Sequence, residues 1–120
     1  MRVSYIELLG KQHPMCFSLT AATEMDEAFG GIEAMADRVQ EGSLARKAAA
    51  INKALEILLK AGRTYAAAAG MELPDPLPCP PADLIDVTDG SAVKSIFAVI
   101  ANDTEREVET VPNGEAAPGL

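Results

Sequence analysis

The start of the chain has the polar and apolar pattern of a β-hairpin. Residues 2–9 mix β-branched and aromatic residues with polar ones, a Gly-Lys-Gln turn follows at residues 10–12, and residues 13–17 are again mostly apolar. Pro14 has no N–H to donate to a strand ladder, so it belongs at the start or the edge of the second strand. Because two strands alone are only marginally stable, the pattern predicts a hairpin that packs one face against the segments that follow.

After the hairpin, apolar residues recur three and four positions apart, which is the spacing of one face of an α-helix. Ser18 and Ser43 are expected to cap helix N-termini, and glycines after each periodic segment predict helix ends. The predicted helices run over 19–29, from residue 32 to a stop at Gly42, over 44–69 with Gly70 as the stop, and from a cap at Thr88 or Asp89 through Val108.

Segment 71–83, before the last helix, contains five prolines. Proline lacks the N–H of a helical residue and its ring clashes with the preceding turn, so this segment cannot form a regular helix. We interpret it as a stiff, extended connector that carries the chain back along the long helix. The alternative is a peptide ligand for an aromatic-lined groove. One or two helical turns are expected over 81–87.

Together these elements predict a mainly α (α+β) protein in which an N-terminal β-hairpin packs on a small bundle of about four helices. We expect residues 1–111 to form a single domain and residues 112–120 to be a disordered tail. A length of 120 residues allows one core, but not a catalytic domain plus a regulatory one. Because only 4% of the residues are aromatic and none is Trp, the core must be built from Ala, Leu, Ile, Val and Met.

The net charge of −8 argues against binding to nucleic acid, which requires clustered positive charge. The charge is also uneven along the chain, with net values of −4 for residues 1–42, +4 for 43–70 and −8 for 71–120. A basic long helix therefore lies between acidic flanks. It is either a solvated helix face or a surface that complements an acidic segment, in this chain or in a partner.

Few residues suggest chemistry. Cys16 and Cys79 lie 63 residues apart, which is neither a zinc spacing nor a redox pair, so they need not bridge, and Cys16 is expected to be a buried thiol. The one histidine, His13, is expected to be solvated or structural. No nucleotide-binding motif and no metal-ligand spacing occur. We therefore predict no catalytic, cofactor-binding or metal-binding residues, and a protein that is not an enzyme.

The sequence also indicates a location. The N-terminus lacks the apolar stretch of a signal peptide. The longest nearly apolar stretch, 61–71, is interrupted by Arg63 and is shorter than the roughly 18 residues that a membrane span requires. We expect a cytoplasmic protein that has no membrane partner.

Three motifs near the N-terminus follow one another in the order found in a known family. A strand pair around Gly10-Lys11 comes first, the Phe-Ser-Leu of residues 17–19 then enters a helix, and the Phe-Gly-Gly-Ile-Glu of residues 29–33 opens another. Over residues 1–42 this order resembles the small tail assembly chaperones of long-tailed bacteriophages, prophages and gene-transfer particles. The remaining segments are similar to that family only in layout.

The resemblance implies a non-enzymatic protein of the bacterial host cytoplasm. It would bind the tape measure protein, keep it soluble, help to recruit tail tube subunits, and be absent from the finished particle. A structural tail component or a small prophage-encoded protein-interaction adaptor is the alternative. Homo-oligomerisation stays open.

The long helix is the first place to look for the partner-binding surface. A tape measure protein is a long, largely helical chain whose apolar stripes aggregate unless a partner covers them. An apolar stripe on the long helix would serve that purpose, although the protein's own core is the favoured place for the same residues. The stripe residues proposed for partner binding are Ile51, Leu55, Leu58 and Tyr65.

Overall fold

The computed structural model describes the backbone of residues 2–110 and the side chains of residues 2–101. Its architecture confirms the predicted α+β class, because a two-stranded antiparallel hairpin packs against four helices. The tail predicted for residues 112–120 lies outside the described residues. The elements are β1 (Ser4–Leu8), β2 (Lys11–Met15), α1 (Leu19–Phe29), α2 (Ile32–Gln40), α3 (Leu44–Ala68), a 3-10 turn (Pro81–Leu84) and α4 (Ser91–Thr110).

The hairpin turns one residue earlier than the sequence predicts. Ser4 pairs with Met15 and Leu8 with Lys11, so the turn consists of Leu9 and Gly10 alone. Both have positive φ, 55° and 73°, as a two-residue type I′ turn requires. Glycine adopts this conformation at no cost, but Leu9 gave no signal for it, and the turn was therefore placed too late.

Serine caps begin α1 and α3, and glycines follow the ends of the first three helices, as predicted. The Oγ of Ser18 accepts a hydrogen bond from the Ala21 N–H at 3.1 Å, and the Oγ of Ser43 accepts one from the Arg46 N–H at 3.2 Å. Gly30 ends α1 in the left-handed conformation and donates its N–H to the Asp26 carbonyl. These local bonds satisfy backbone groups that helix ends leave without partners.

Helix α3 is the centre of the fold, and β2 lies directly on it. At 25 residues it is about 37 Å long. The backbone N–H of Cys16 donates to the Leu58 carbonyl at 3.3 Å. One turn further on, a Cβ at Gly62 would overlap the Pro14 carbonyl and lie 2.7 Å from the Cα of Met15. Glycine is therefore the residue that lets strand and helix backbones touch.

Aliphatic side chains and methionines fill the core between α3 and the elements around it. Methionine adapts its shape to irregular gaps, which suits a core with few aromatic rings. The largest completely buried side chains are Met15, Met25, Met35, Leu55, Leu58, Ile96 and Val99, with Pro14 and Cys16 beside them.

The proline-rich connector runs back along α3, as the sequence suggested. Arg63 donates from Nη1 to the Pro74 carbonyl at 2.9 Å, and Asn52, about three turns earlier on α3, accepts from the Ala82 N–H at 2.9 Å. These two bonds attach both ends of the connector to one helix. The helical turn expected over 81–87 is the short 3-10 turn.

Helix α4 begins later than the predicted cap at Thr88 or Asp89. The Asp86 carboxylate accepts from the N–H and the hydroxyl of Thr88, and the Asp89 carboxylate accepts from the N–H and the hydroxyl of Ser91. These two Asx turns occupy the residues that were expected to start the helix. The Gly90 carbonyl accepts from the Lys94 N–H instead, which places Gly90 immediately before the first helical residue.

Candidate functional site

The candidate site is a groove between the N-terminal half of α3 and the segment that joins the connector to α4. Its volume is about 420 Å³. Apolar side chains make up most of its lining, and a few charged or polar ones stand at its rim. The apolar lining residues are Val39, Leu44, Ala48, Ile51, Ala82, Ile85, Val87, Ala92 and Val93, and the polar ones are Lys47, Asp86, Thr88 and Asp89.

Local structure explains why apolar side chains face solvent here. The Asx turns at Asp86 and Asp89 hold the chain in a loop that leaves Val87 73% exposed. Leu44 is the first residue of α3 after the Ser43 cap, and it is 61% exposed. Ala48 is small and leaves space between these two walls of the groove.

The lining of this groove suits the binding of an apolar surface. An apolar lining with charges of both signs at the rim suits the apolar face of an amphipathic helix, whose polar face stays in water. The one cation that lines the groove, Lys47, and the two anions, Asp86 and Asp89, would select the orientation of a charged partner.

The structure separates the four residues that the sequence proposed for partner binding. Leu55 and Leu58 are completely buried, so no partner reaches them in this fold. Ile51 is half-buried and lines the candidate groove. Tyr65 is half-buried at the other end of α3, in a separate cavity of about 300 Å³ between α1 and α3. The stripe therefore does not form one surface.

Sequence reasoning missed most of the groove. Leu44, Ile85, Val87 and Val93 were not proposed, because they come from three separate segments that only the folded chain brings together. One signal was available in the sequence: Val87 is an apolar residue enclosed by turn-forming Asp86, Thr88 and Asp89. An apolar side chain in a polar turn is exposed, and it costs solubility unless something covers it.

The Tyr65 cavity carries an ion pair at its edge. Lys60 Nζ lies 2.7 Å from an oxygen of Glu24 and links α3 to α1. The Lys60 side chain is mostly exposed, and exposed pairs of this kind contribute little to stability.

His13 is structural rather than solvated. It is buried beneath the connector, where a cavity of about 380 Å³ is also lined by Glu56, Lys60, Arg63 and Cys79. Burial lowers the pKa of His13, a hydrogen bond to the Leu8 backbone raises it, and the nearby Arg63 and Lys11 lower it further. The net effect is a pKa below the ordinary 6.5.

We expect the free energy of unfolding to fall as the pH drops below 6.5, the ordinary pKa of histidine. In that range His13 binds a proton in the unfolded chain but stays neutral in the folded protein. Proton binding therefore favours the unfolded state, and this effect grows until the pH is below the pKa of His13 in the folded protein. Well above 6.5 both states hold neutral histidine and the contribution is constant. Urea unfolding between about pH 8 and about pH 5, above most carboxylate titration, measures the slope.

The matched variant for this experiment is His13→Gln, which removes the titration. Its unfolding free energy is expected to change less with pH over the same range. An equal pH dependence in the variant and in the natural sequence would show that another group is responsible.

The two cysteines do not form a pair. Cys16 is buried in the core at the end of β2, Cys79 is half-buried in the connector, and no disulfide joins them.

Among the side chains of residues 2–101, no group of three or more His, Cys, Asp or Glu residues is arranged to hold a metal ion. Within the described part of the chain, no helix has the length and apolar character needed to cross a membrane. No protein-family model matches the chain, and no curated protein or solved structure matches it either.

Proposed function

We propose that this protein is a non-enzymatic tail assembly chaperone of a phage or prophage. In the bacterial cytoplasm it binds the tape measure protein, keeps it soluble and helps to recruit tail tube subunits. The observation that carries the proposal is the apolar groove in which Leu44 and Val87 are mostly exposed and Ile51 is half-buried. The N-terminal resemblance supports the same function.

The groove has the properties that this function requires. A long helical partner with apolar stripes aggregates unless each stripe is covered, and a groove of this kind covers about one apolar side-chain cluster on a helix. A small contact area keeps the binding reversible, which an assembly factor that leaves the particle needs. The net charge of −8 keeps the complex dispersed.

The test is co-purification with overlapping fragments of the tape measure protein that the proposal expects in the same genome. We expect at least one fragment to bind at micromolar concentration, and we expect Leu44→Asp and Val87→Asp each to weaken the binding about 10-fold, the loss of one good apolar contact. Both side chains are exposed, so neither change threatens the core.

Leu19→Asp is the matched control. Leu19 is 85% exposed and is the first residue of α1 after the Ser18 cap, as Leu44 is of α3 after Ser43. An aspartate is favourable at this helix position in both cases, because it complements the helix dipole. The proposal fails if no fragment binds, or if Leu19→Asp weakens binding as much as Leu44→Asp does.

The composition of the finished particle separates the proposal from its alternative. A chaperone is absent from purified virions, whereas a structural tail component is detected there in stoichiometric amounts by mass spectrometry.

A further inference from the structure

A second groove, the basic groove, lies on the opposite face of α3 from the apolar groove. Its volume is about 370 Å³. It is lined by three cations and four apolar side chains, and no carboxylate contributes to it. The lining residues are Arg38, Arg46 and Lys53, with Ala28, Phe29, Ala49 and Ala50.

None of these three cations forms an ion pair with a described side chain. The one ion pair among the side chains of residues 2–101 is Lys60 with Glu24, on another part of α3. Arg38 instead lies over the Phe29 ring, with its guanidinium carbon 5.7 Å from the ring centroid. Stacking on the ring orders the guanidinium and leaves its charge available to an anion. A chain of net charge −8 thus retains an exposed cluster of positive charge.

The spacing of the cations indicates the shape of the ligand. Arg46 and Lys53 are seven residues apart on α3, so they lie on one face about 10.5 Å apart along the axis. Ala49 lies between them and is exposed, and a small residue there lets another helix approach closely. Carboxylates seven residues apart on a partner helix have the same spacing, whereas a single phosphate or carboxylate ion spans much less.

We propose that the basic groove docks an acidic helical segment of a partner protein. The partner's carboxylates pair with Arg46 and Lys53 on either side of the exposed Ala49, and Arg38 binds a third from the side. Nucleic acid fits less well, because a duplex backbone needs positive charge over a longer path, and the rest of this chain repels it.

The basic groove is independent of the groove proposed for the tape measure protein. At about 100° per residue, Arg46, Ala50 and Lys53 lie roughly half a turn around α3 from Leu44, Ala48 and Ile51. The chain is thereby able to hold two helical segments at once, one on each side of α3. Loss of binding at one groove leaves the other measurable.

The test measures binding of a designed helical peptide by fluorescence anisotropy. The probe is an alanine-rich helix of about 20 residues with glutamates at positions i and i+7, and its control has glutamine at both positions. We expect the glutamate peptide to bind at least about 10-fold more tightly than the glutamine peptide at low salt, and the difference to shrink at about 0.5 M NaCl.

Charge reversal locates the binding. The variant Arg38→Glu/Arg46→Glu/Lys53→Glu is expected to lose its binding of the glutamate peptide. The control variant Arg2→Glu/Lys11→Glu/Lys94→Glu has the same net charge, and its affinity for that peptide is expected to stay within about twofold of the natural protein's. All six side chains are exposed. The milder pair Arg46→Gln/Lys53→Gln is expected to weaken binding about fivefold, and circular dichroism checks that each variant is folded.

Three results would overturn the proposal. One is equal affinity for the two peptides. Another is an equal loss of binding in the two charge-reversed variants. The third is tighter binding of a short DNA duplex than of the glutamate peptide, which would indicate a nucleic-acid surface instead.

Discussion

Gly62→Ala lowers the free energy of unfolding by about 3 kcal/mol, the upper end of the range for overpacking a close-packed interior. The added Cβ would overlap the Pro14 carbonyl on β2, so the strand must move away from α3. That movement also strains the hydrogen bond from the Cys16 N–H to the Leu58 carbonyl. Helix propensity alone gives the opposite sign, because alanine in a helix interior is favoured over glycine by about 1 kcal/mol.

Urea unfolding followed by circular dichroism measures this change, and Gly90→Ala is its control. Gly90 lies just before α4, and a Cβ there meets no atom within 4 Å. We expect the control to cost no more than about 1 kcal/mol, the preference for glycine over alanine beside a helix start. If Gly62→Ala stabilised the protein, the inference that the strand and helix backbones touch at Gly62 would be wrong.

Leu58→Ala lowers the free energy of unfolding by about 4 kcal/mol, within the range measured for buried leucines. Leu58 is completely buried, and the elements around it are fixed by backbone bonds, so the cavity left behind cannot readily collapse. The loss has two parts, the lost burial of the deleted atoms and the unfilled cavity. Thermal and urea unfolding measure it.

Ile51→Ala is the control within the same predicted stripe. Ile51 is half-buried, and its side chain lines a groove that is already open to water, so we expect a loss of only about 1 kcal/mol. The two variants therefore separate a core residue from a groove residue. If Leu58→Ala weakened partner binding while leaving the unfolding free energy unchanged, its side chain would belong to the binding surface and not to the core.

Much of this fold could be predicted from the sequence because its signals are local. A serine that accepts an N–H three residues later, as Ser18 and Ser43 do, marks a helix start without reference to the rest of the chain. Gly30 and Gly70 mark helix ends in the same way, by adopting positive φ. The errors arose at the hairpin turn, where Leu9 is not a residue type that marks positive φ, and before α4, where Asx turns occupy the expected helix start.

The candidate site could not be predicted in the same way. Ile51, Leu55 and Leu58 lie on one stripe of helical spacing. They differ in burial, because the neighbouring elements cover α3 at Leu55 and Leu58 more completely than at Ile51. Gly62 follows Leu58 at helical spacing in the sequence, and only the fold shows a strand backbone lying on it. Burial of this kind depends on contacts between distant segments, which periodicity does not contain.

The most direct test of the proposed function is to locate a bound tape measure fragment on the protein. An NMR titration of the isotope-labelled protein with a binding fragment reports which backbone amides change their chemical shift. We expect the largest shifts at Leu44, Ile51 and Val87, around the apolar groove. Shifts confined to residues away from that groove, for example around the exposed Leu19 of α1, would contradict the account.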